Sequence, residues 1–285
     1  MIKTPNFYLA MIFLSLVTPL VAQRNAPHAF RLPAELKEVS GLWVQAPDSL
    51  WWLNDGGNSP TLYRTNVCGE LLAALPLANT QNYDWEDLTY DTTGAFYLGD
   101  FGDNRGVRDE LLVYRYQPTT GALDSIRFRF PAGAHYNTEA FFWHQDTLHL
   151  FTKSAIRRGR LPTYHFVLPA QPGEHEAVLR DSLLLRKRVV TAAAIHPATG
   201  QVVLLAYYFK LRLGFLPYSA ANIFCFSDYP SGHYLRGKQR SRRISLLLAT
   251  QYESVDFIDP QQLLVASEQT LFIKAKAKRV KWKGE

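Results

Sequence analysis

Cysteine is scarce in this sequence: Cys68 and Cys225 are the only two among 285 residues. Two thiols cannot build a disulfide framework or a four-cysteine zinc site. Past residue 22 no stretch approaches 18 uncharged apolar residues, so the remainder offers no transmembrane helix. No long segment places apolar residues at i, i+3, i+4 and i+7, and helical architectures lose their main sequence signal. Familiar catalytic signatures are missing too: there is no G-x-S-x-G, no H-E-x-x-H, no complete G-x-x-x-x-G-K-[ST] phosphate loop and no C-x-x-C. The eight histidines are scattered, with His144 and His196 in hairpin turns and His149 and His165 inside strands, and none has an obvious nucleophile or metal partner.

What is present is globular: 47% hydrophobic, 13% aromatic and 20% charged residues, enough for a core that needs no covalent staples. Residues 1–22 read as an export signal, with Lys3 ahead of the uncharged run from Leu9 to Ala22, which is too short to span a bilayer. An uncleaved N-terminal anchor is the other reading. Residues 23–285 are then a single domain, expected to be secreted or periplasmic and monomeric. Export permits disulfides, yet Cys225 lies in an apolar run and Cys68 closes a strand before Gly69, so two buried thiols are expected rather than a bridge.

One motif returns five times: an apolar strand, a short polar turn, and a second strand ending in polar residues. Its copies are Gly41 to Asp55, Asp87 to Asp100, Ala140 to Lys153, Ala193 to Tyr207 and Ser254 to Glu268. A third strand follows each pair: Thr61 to Arg64, Leu111 to Tyr116, Thr163 to Leu168, Asn222 to Phe226 and Thr270 to Ile273. A more polar fourth strand follows in the first four units: Leu71 to Leu77, Asp124 to Phe130, Glu176 to Leu185 and Arg243 to Leu248. A unit of roughly 46 to 60 residues is the size of a four-stranded propeller blade. The fold expected is therefore all-β, a β-propeller of five blades, with six requiring a further unit inside the long fourth one. The fifth unit lacks an outer strand, which His28 to Leu32 is expected to supply, closing the ring; Arg279 to Lys283 is the alternative.

In a blade the inner strand starts, and the second strand ends, on one face of the ring. That brings Glu38, Glu86, Glu139 and Glu253 to one channel mouth, with Asp55, Asp100, Asp103, Asn104, Lys153, Tyr207 and Glu268. Crowded carboxylates persist only if some stay protonated, if cations neutralise them, or if backbone donors bind them. Three readings stay open. Glu86, Glu139 and Glu253 cap backbone amides and tie blade to blade; or Glu86, Asp100, Asp103, Glu139 and Glu253 hold calcium, a hard cation that takes six to eight oxygens; or the three glutamates act as acid or base. Asp55, Asp100, Asn104, Lys153, Tyr207 and Glu268 line the ligand position in each case. The Lys153 to Arg160 loop, with Arg105 and Arg108, fits an anionic ligand held with a metal, and equally a solvated rim. Lys210 to Ala221 is apolar and reads as a long loop that lids the mouth, meets a partner or packs on a neighbouring blade.

The net charge is +6, and the bases cluster at Arg236 to Arg243 and along the tail at Lys274, Lys276, Lys278, Arg279, Lys281 and Lys283. Nucleic acid is a poor partner for an exported chain. The clusters either attract anionic envelope or polysaccharide surfaces, or keep edge strands from pairing.

Glu38-Val39-Ser40-Gly41-Leu42, Asn54-Asp55-Gly56-Gly57, Asp84-Trp85-Glu86-Asp87 and Gly99-Asp100-Phe101-Gly102-Asp103-Asn104 resemble motifs of exported bacterial propellers. The groups are the SdiA-regulated-like and phytase-like-esterase propellers, with wider similarity to NHL-type propellers; the resemblance is sharpest over Glu38 to Tyr116. Similarity to the phytase-like group implies calcium on Glu86, Asp100, Asp103, Glu139 and Glu253, and phosphate held by Lys153. The sequence departs from an all-acidic ring at Ala193, which stands in the glutamate's place in the fourth unit. Three functions are compatible with these residues: a binding propeller with an acidic funnel for a small ligand, cation or envelope partner; a calcium-dependent hydrolase of phosphate esters or lactones; and a structural envelope component with its funnel packed shut.

Overall fold

The computed structural model describes residues 26–153, 162–185, 187–212, 216–246, 250–270 and 273–282, without the side chains of 209–212, 216, 217 and 246. The expected signal segment, residues 1–22, most of the loop after Lys153, and Lys283 lie outside the described residues.

Five antiparallel sheets follow one another along the chain, and each is a blade. The inner strands are Val39–Ala46, Trp85–Tyr90, Thr138–His144, Val189–Ile195 and Tyr252–Asp259. The second strands are Ser49–Asn54, Phe96–Asp100, Thr147–Thr152, Val202–Arg212 and Gln262–Ser267. Tight turns join them. Asp91 caps the turn in blade 2, its carboxylate accepting from the Thr93 amide (2.8 Å) and the Ala95 amide (3.1 Å). The third strands of blades 1 to 4, Thr61–Thr65, Leu111–Gln117, Thr163–Pro169 and Leu216–Ser227, cover the expected segments.

Blade 5 corrects the sequence reading. Thr270 and Ile273 form only an isolated bridge, and the third strand is Lys276–Lys281. Ala29–Arg31 pairs with it as the outer strand, Ala29 opposite Lys278 and Arg31 opposite Lys276, so the N-terminal segment closes the ring. Arg279 is thus in the third strand and the alternative closure fails. The segment Lys210 to Ala221 is likewise not a loop: the second and third strands of blade 4 run on as one long hairpin, with Lys210 opposite Tyr218 and Arg212 opposite Leu216. Aromatic and branched residues there suit a pleated ribbon. In blade 3 the outer strand is Val178–Leu183, and the preceding Gly173–Glu176 instead pairs in parallel with Ala122–Arg129 of blade 2.

The core is divided among the five seams between blades. Trp43, Trp85 and Leu98 fill the seam of blades 1 and 2; Phe101, Phe128, Phe141 and Phe166 fill the next. Phe101 and Phe141 meet edge to face at 5.0 Å. Burying one such ring stabilises by about 3 kcal/mol. Cys225 is buried with Ile223 and Val255, whereas Cys68 is exposed, and both thiols are free. Cys68 falls in the Asn66–Gly69 turn rather than in a strand, which is why it escapes burial. No helix among the described residues is long and apolar enough to cross a membrane.

Hydroxyls and aspartates bind the inner strands to each other. Ser40 donates to the Glu86 carbonyl, Ser254 to the Ser40 carbonyl, and Thr191 to the Tyr252 carbonyl (2.7 Å). The Asp87 carboxylate accepts from the Phe141 amide (3.1 Å) and that of Asp256 from the Val44 amide (2.7 Å). Among the described residues, the side-chain bonds from inner strand to inner strand are made by these hydroxyls and aspartates.

Candidate functional site

Every inner strand slips register near its start. The ladder passes from Trp85 to Asp87, from Thr138 to Ala140, from Val190 to Ala192, from Tyr252 to Ser254, and from Val39 to Leu42. The skipped residues are Glu86, Glu139, Thr191 and Glu253, with Ser40 and Gly41 in blade 1. A bulge frees a residue from the ladder and re-aims its side chain, the device that turns these glutamates toward the channel axis. Register also corrects the fourth position of the ring: Thr191, not Ala193, stands where blades 2, 3 and 5 carry glutamate.

In blades 1, 3 and 5 the residue after the second strand bonds back to the residue before the inner strand. Asp55 N donates to Glu38 O (2.8 Å), Lys153 N to Asn137 O (2.8 Å) and Glu268 N to Gln251 O (3.1 Å). Asp55, Lys153 and Glu268 are thus equivalent positions of blades 1, 3 and 5.

On the side of blades 1 and 2, carboxylate oxygens of Asp55, Asp84 and Glu86 all lie within 4.8 Å of one another. The space for them is made by glycine: a Cβ on Gly102 would come within 2.2 Å of Glu86 Oε1 and 2.3 Å of Asp84 Oδ2, and one on Gly56 within 2.5 Å of Asp84 Oδ1. Glu86 is 4% exposed, and among the described residues no donor bonds its carboxylate. Burial, then the Glu139 and Asp55 charges, push its proton affinity well above the usual carboxylate range. Asp55 is pushed up to about 7, by burial first and by Glu139, Asp84 and Glu268 next, against the lowering bond from the Gly56 amide. Burial also raises Asp84, with Arg108 opposing.

On the side of blades 3 and 5, Lys153 Nζ meets Glu139 Oε2 at 2.6 Å, and Asn137 Nδ2 donates to Glu139 Oε1 at 2.6 Å. Burial pulls the Lys153 ammonium down, but Glu139, Tyr207 and Glu253 outweigh it and hold the proton. Glu253 is raised well above its ordinary range by burial and by Glu268. Gln251 links this side together, donating to Glu268 and accepting from the Tyr207 hydroxyl (3.0 Å).

Asp100 and Asp103 sit behind the triad. Asp100 accepts from the amides of Tyr83 (3.3 Å) and Asp84 (3.1 Å) and pairs with Arg108 Nη2 (3.0 Å). Asp103 accepts from the amides of Val107 (2.9 Å) and Arg108 (3.1 Å). Their oxygens hold the 100–108 loop, and through it Asp84. Asn104 accepts from Asn137 Nδ2 (3.1 Å), tying that loop to the Glu139 side. The structure therefore brings Glu86 together with Asp55 and Asp84, places Glu139 with Lys153, and sets Glu253 beside Glu268. Asp84 was missed as a candidate ligand; its signal was position, one residue ahead of the inner strand, the place of Glu38 in blade 1.

The arrangement offers three hard oxygen donors converging on one point, at least one of them without a hydrogen-bond donor among the described residues, with the half-buried ammonium of Lys153 at the same mouth. Such a set suits a divalent cation, and calcium most readily, because carbonyls and water complete its loose shell.

No family model matches the sequence, and a comparison with curated proteins finds no match. Solved structures do match. A mannose phosphorylase from Leishmania mexicana in complex with phosphate ion aligns over 92% of this chain and 90% of its own, with 10% identity and a TM-score of 0.53. A gluconolactonase from Xanthomonas campestris aligns over 86% and 73%, with 12% identity and a TM-score of 0.43. A member of the DUF4221 family from Bacteroides vulgatus aligns over 82% and 75%, with 8% identity and a TM-score of 0.38. At such identities the likeness is one of fold.

Proposed function

We propose that this protein is an exported binding propeller whose funnel takes a calcium ion on Asp55, Asp84 and Glu86 and presents it, beside Lys153, to a small anionic ligand or envelope partner. The observation that carries this reading is the convergence of those three carboxylates around Glu86, whose carboxylate is bonded by no donor among the described residues. Ionised and unneutralised, they repel; a divalent cation turns that repulsion into binding. Lys153 supplies the positive charge across the mouth, held in place by Glu139. The resemblance of Glu38 to Asn104 to exported propellers supports the location and the calcium, with Asp84 taking the place among the ligands that the resemblance gives to Asp100 and Asp103.

The test is thermal melting of the full chain in EDTA and in calcium. A rise of several degrees at millimolar calcium, lost in Glu86→Gln and Asp84→Asn, is the expected result. An unchanged melting temperature would sink the reading. Calcium-dependent turnover of a phosphate ester or lactone, abolished by Glu86→Gln, would replace it with the hydrolase.

A further inference from the structure

Two basic segments far from the funnel remain unaccounted for. Residues 236–246 and 273–283 hold 11 of the 31 lysines and arginines and none of the 25 acids, so the rest of the chain is net acidic. The fold brings one face of each together. Lys238–Leu246 is the outer strand of blade 4, and Lys276–Lys281 is the third strand of blade 5, the next blade round the ring. Across their seam Arg242 donates to the Lys281 carbonyl, and Lys278 Nζ donates to the Ile244 carbonyl (2.5 Å). Each cation is thus latched to the opposite blade by a neutral carbonyl.

Like charges are brought together here without a compensating acid. Lys278 lies beside Arg242; burial and then that guanidinium lower its proton affinity, with no carboxylate acting on it. Residues 238–243 are all exposed, a run of about 17 Å along an edge strand. Arg240 and Arg242 point from this strand toward blade 5, where Lys276 and Lys278 point back across the seam, while Arg243 and Lys281 point to the opposite faces of their strands; Lys238 pairs with Asp228 at the far end of the run. Edge-strand cations deter sheet pairing, but deterrence needs no second blade to contribute charges to the same ridge.

We propose that this blade 4–blade 5 ridge binds a linear polyanion, an acidic polysaccharide, laid along the edge strand over Arg240 and Arg242, with Lys276 and Lys278 across the seam. A polymer fits better than a bilayer. Among the described residues, the apolar side chains beside the ridge, Val280 and Trp282, are buried, and the exposed large apolar ones, such as Leu72, Val107 and Leu179, lie on other blades. A membrane-surface site needs apolar groups to insert as well as cations. A row of cations on a narrow edge matches repeated negative charge along one chain.

The experiment measures binding of a fluorescent heparin dodecasaccharide to the full chain across a salt series. The variant Arg240→Gln/Arg242→Gln/Lys276→Gln keeps polar side chains on the ridge. The control Arg127→Gln/Arg129→Gln/Arg180→Gln removes the same charge from blades 2 and 3, where Arg127 pairs with Glu110 and Arg129 with Glu176. Expected are binding that weakens with salt, a loss of about tenfold in the ridge variant with a shallower salt dependence, and little change in the control. Equal losses in both variants would reduce the effect to net charge and overturn the proposal. So would binding to phosphatidylglycerol vesicles without binding to heparin, or no binding to either. Melting of both variants, and their response to calcium, verifies that the fold and the funnel are intact whichever way the ridge behaves.

Discussion

Lys153 Nζ lies 2.6 Å from Glu139 Oε2, and its charge is also felt by Glu86, Glu253 and Glu268. One ammonium therefore offsets carboxylates delivered by three different blades. Lys153→Met leaves Glu139 buried and unpaired, and the expected cost is about 3 kcal/mol at pH 7, read from denaturant unfolding. Calcium recovers part of the loss if the funnel takes the ion. A cost below 1 kcal/mol would show that solvent already screens the pair.

The funnel acids give stability a sign with pH. Asp55 binds its proton with a pKa of about 7 in the folded chain against 3.8 as the ordinary value, so the folded state holds more protons between them. Stability contributed by that proton is complete below pH 4 and is lost as pH rises through 7. In EDTA, Asp55→Asn should flatten the decline in melting temperature between pH 5 and 8. Calcium should oppose the same decline in the unsubstituted protein by binding the ionised form. An Asp55→Asn profile parallel to that of the unsubstituted protein would remove the argument.

Gly102 is the wall against which Glu86 and Asp84 rest. Gly102→Ala puts a methyl group 2.2 Å from Glu86 Oε1, and the carboxylates must move. Overpacking of this kind costs about 1–3 kcal/mol. Calcium affinity, measured by calorimetry, should fall by more than tenfold while the far-ultraviolet spectrum stays that of a β-protein. Unchanged affinity would place the ion elsewhere.

A buried chain of polar rings runs through blade 3. His149 Nδ1 is 3.0 Å from His165 Nε2, and His165 Nδ1 is 2.8 Å from Asp181 Oδ1, whose other oxygen accepts from the Leu235 amide (3.1 Å). Burial, then His165, hold His149 down at about 2, so it is neutral in the folded chain. Its contribution is present above pH 6.5 and is lost as pH falls below it, the opposite sign to Asp55. His149→Phe should reduce acid lability between pH 6 and 4, followed by unfolding. Asp181→Ala strips partners from His165 and Leu235 together and should cost about 3 kcal/mol.

The two thiols are distinguishable by reagent. Cys68 is exposed, whereas Cys225 is buried and its thiol is pushed up to about 11 by burial. A thiol reagent should titrate one group per folded chain and two after denaturation; Cys68→Ser should leave none accessible. No reaction in the folded state would contradict the position of Cys68.

The sequence carried the blade count because a blade repeats apolar, turn and polar signals at a fixed order, and the five copies from Gly41 to Glu268 are each a real hairpin. It misplaced the third strand of blade 5 because Thr270 to Ile273 and Lys276 to Lys281 both suit a strand, and only pairing with Gln262–Ser267 decides between them. The candidate acids were legible as types near strand starts. Their grouping was not: whether Asp100 faces the channel or the Tyr83 and Asp84 amides depends on the 100–108 loop, and whether Thr191 or Ala193 aligns with Glu139 depends on a one-residue bulge. The histidine chain was invisible because its three members come from three strands.

Ring closure by Ala29–Arg31 on Lys276–Lys281 has a kinetic consequence. The first strand has no partner until nearly the last residues have been synthesised, so its hydrogen bonds are the longest-range contacts in the molecule and come at the highest loop-closure cost. Blades 1 to 4 can zip from local hairpins while the fifth waits, and the velcro seam between the two ends is then the rate-limiting event of assembly and the first to reopen under force.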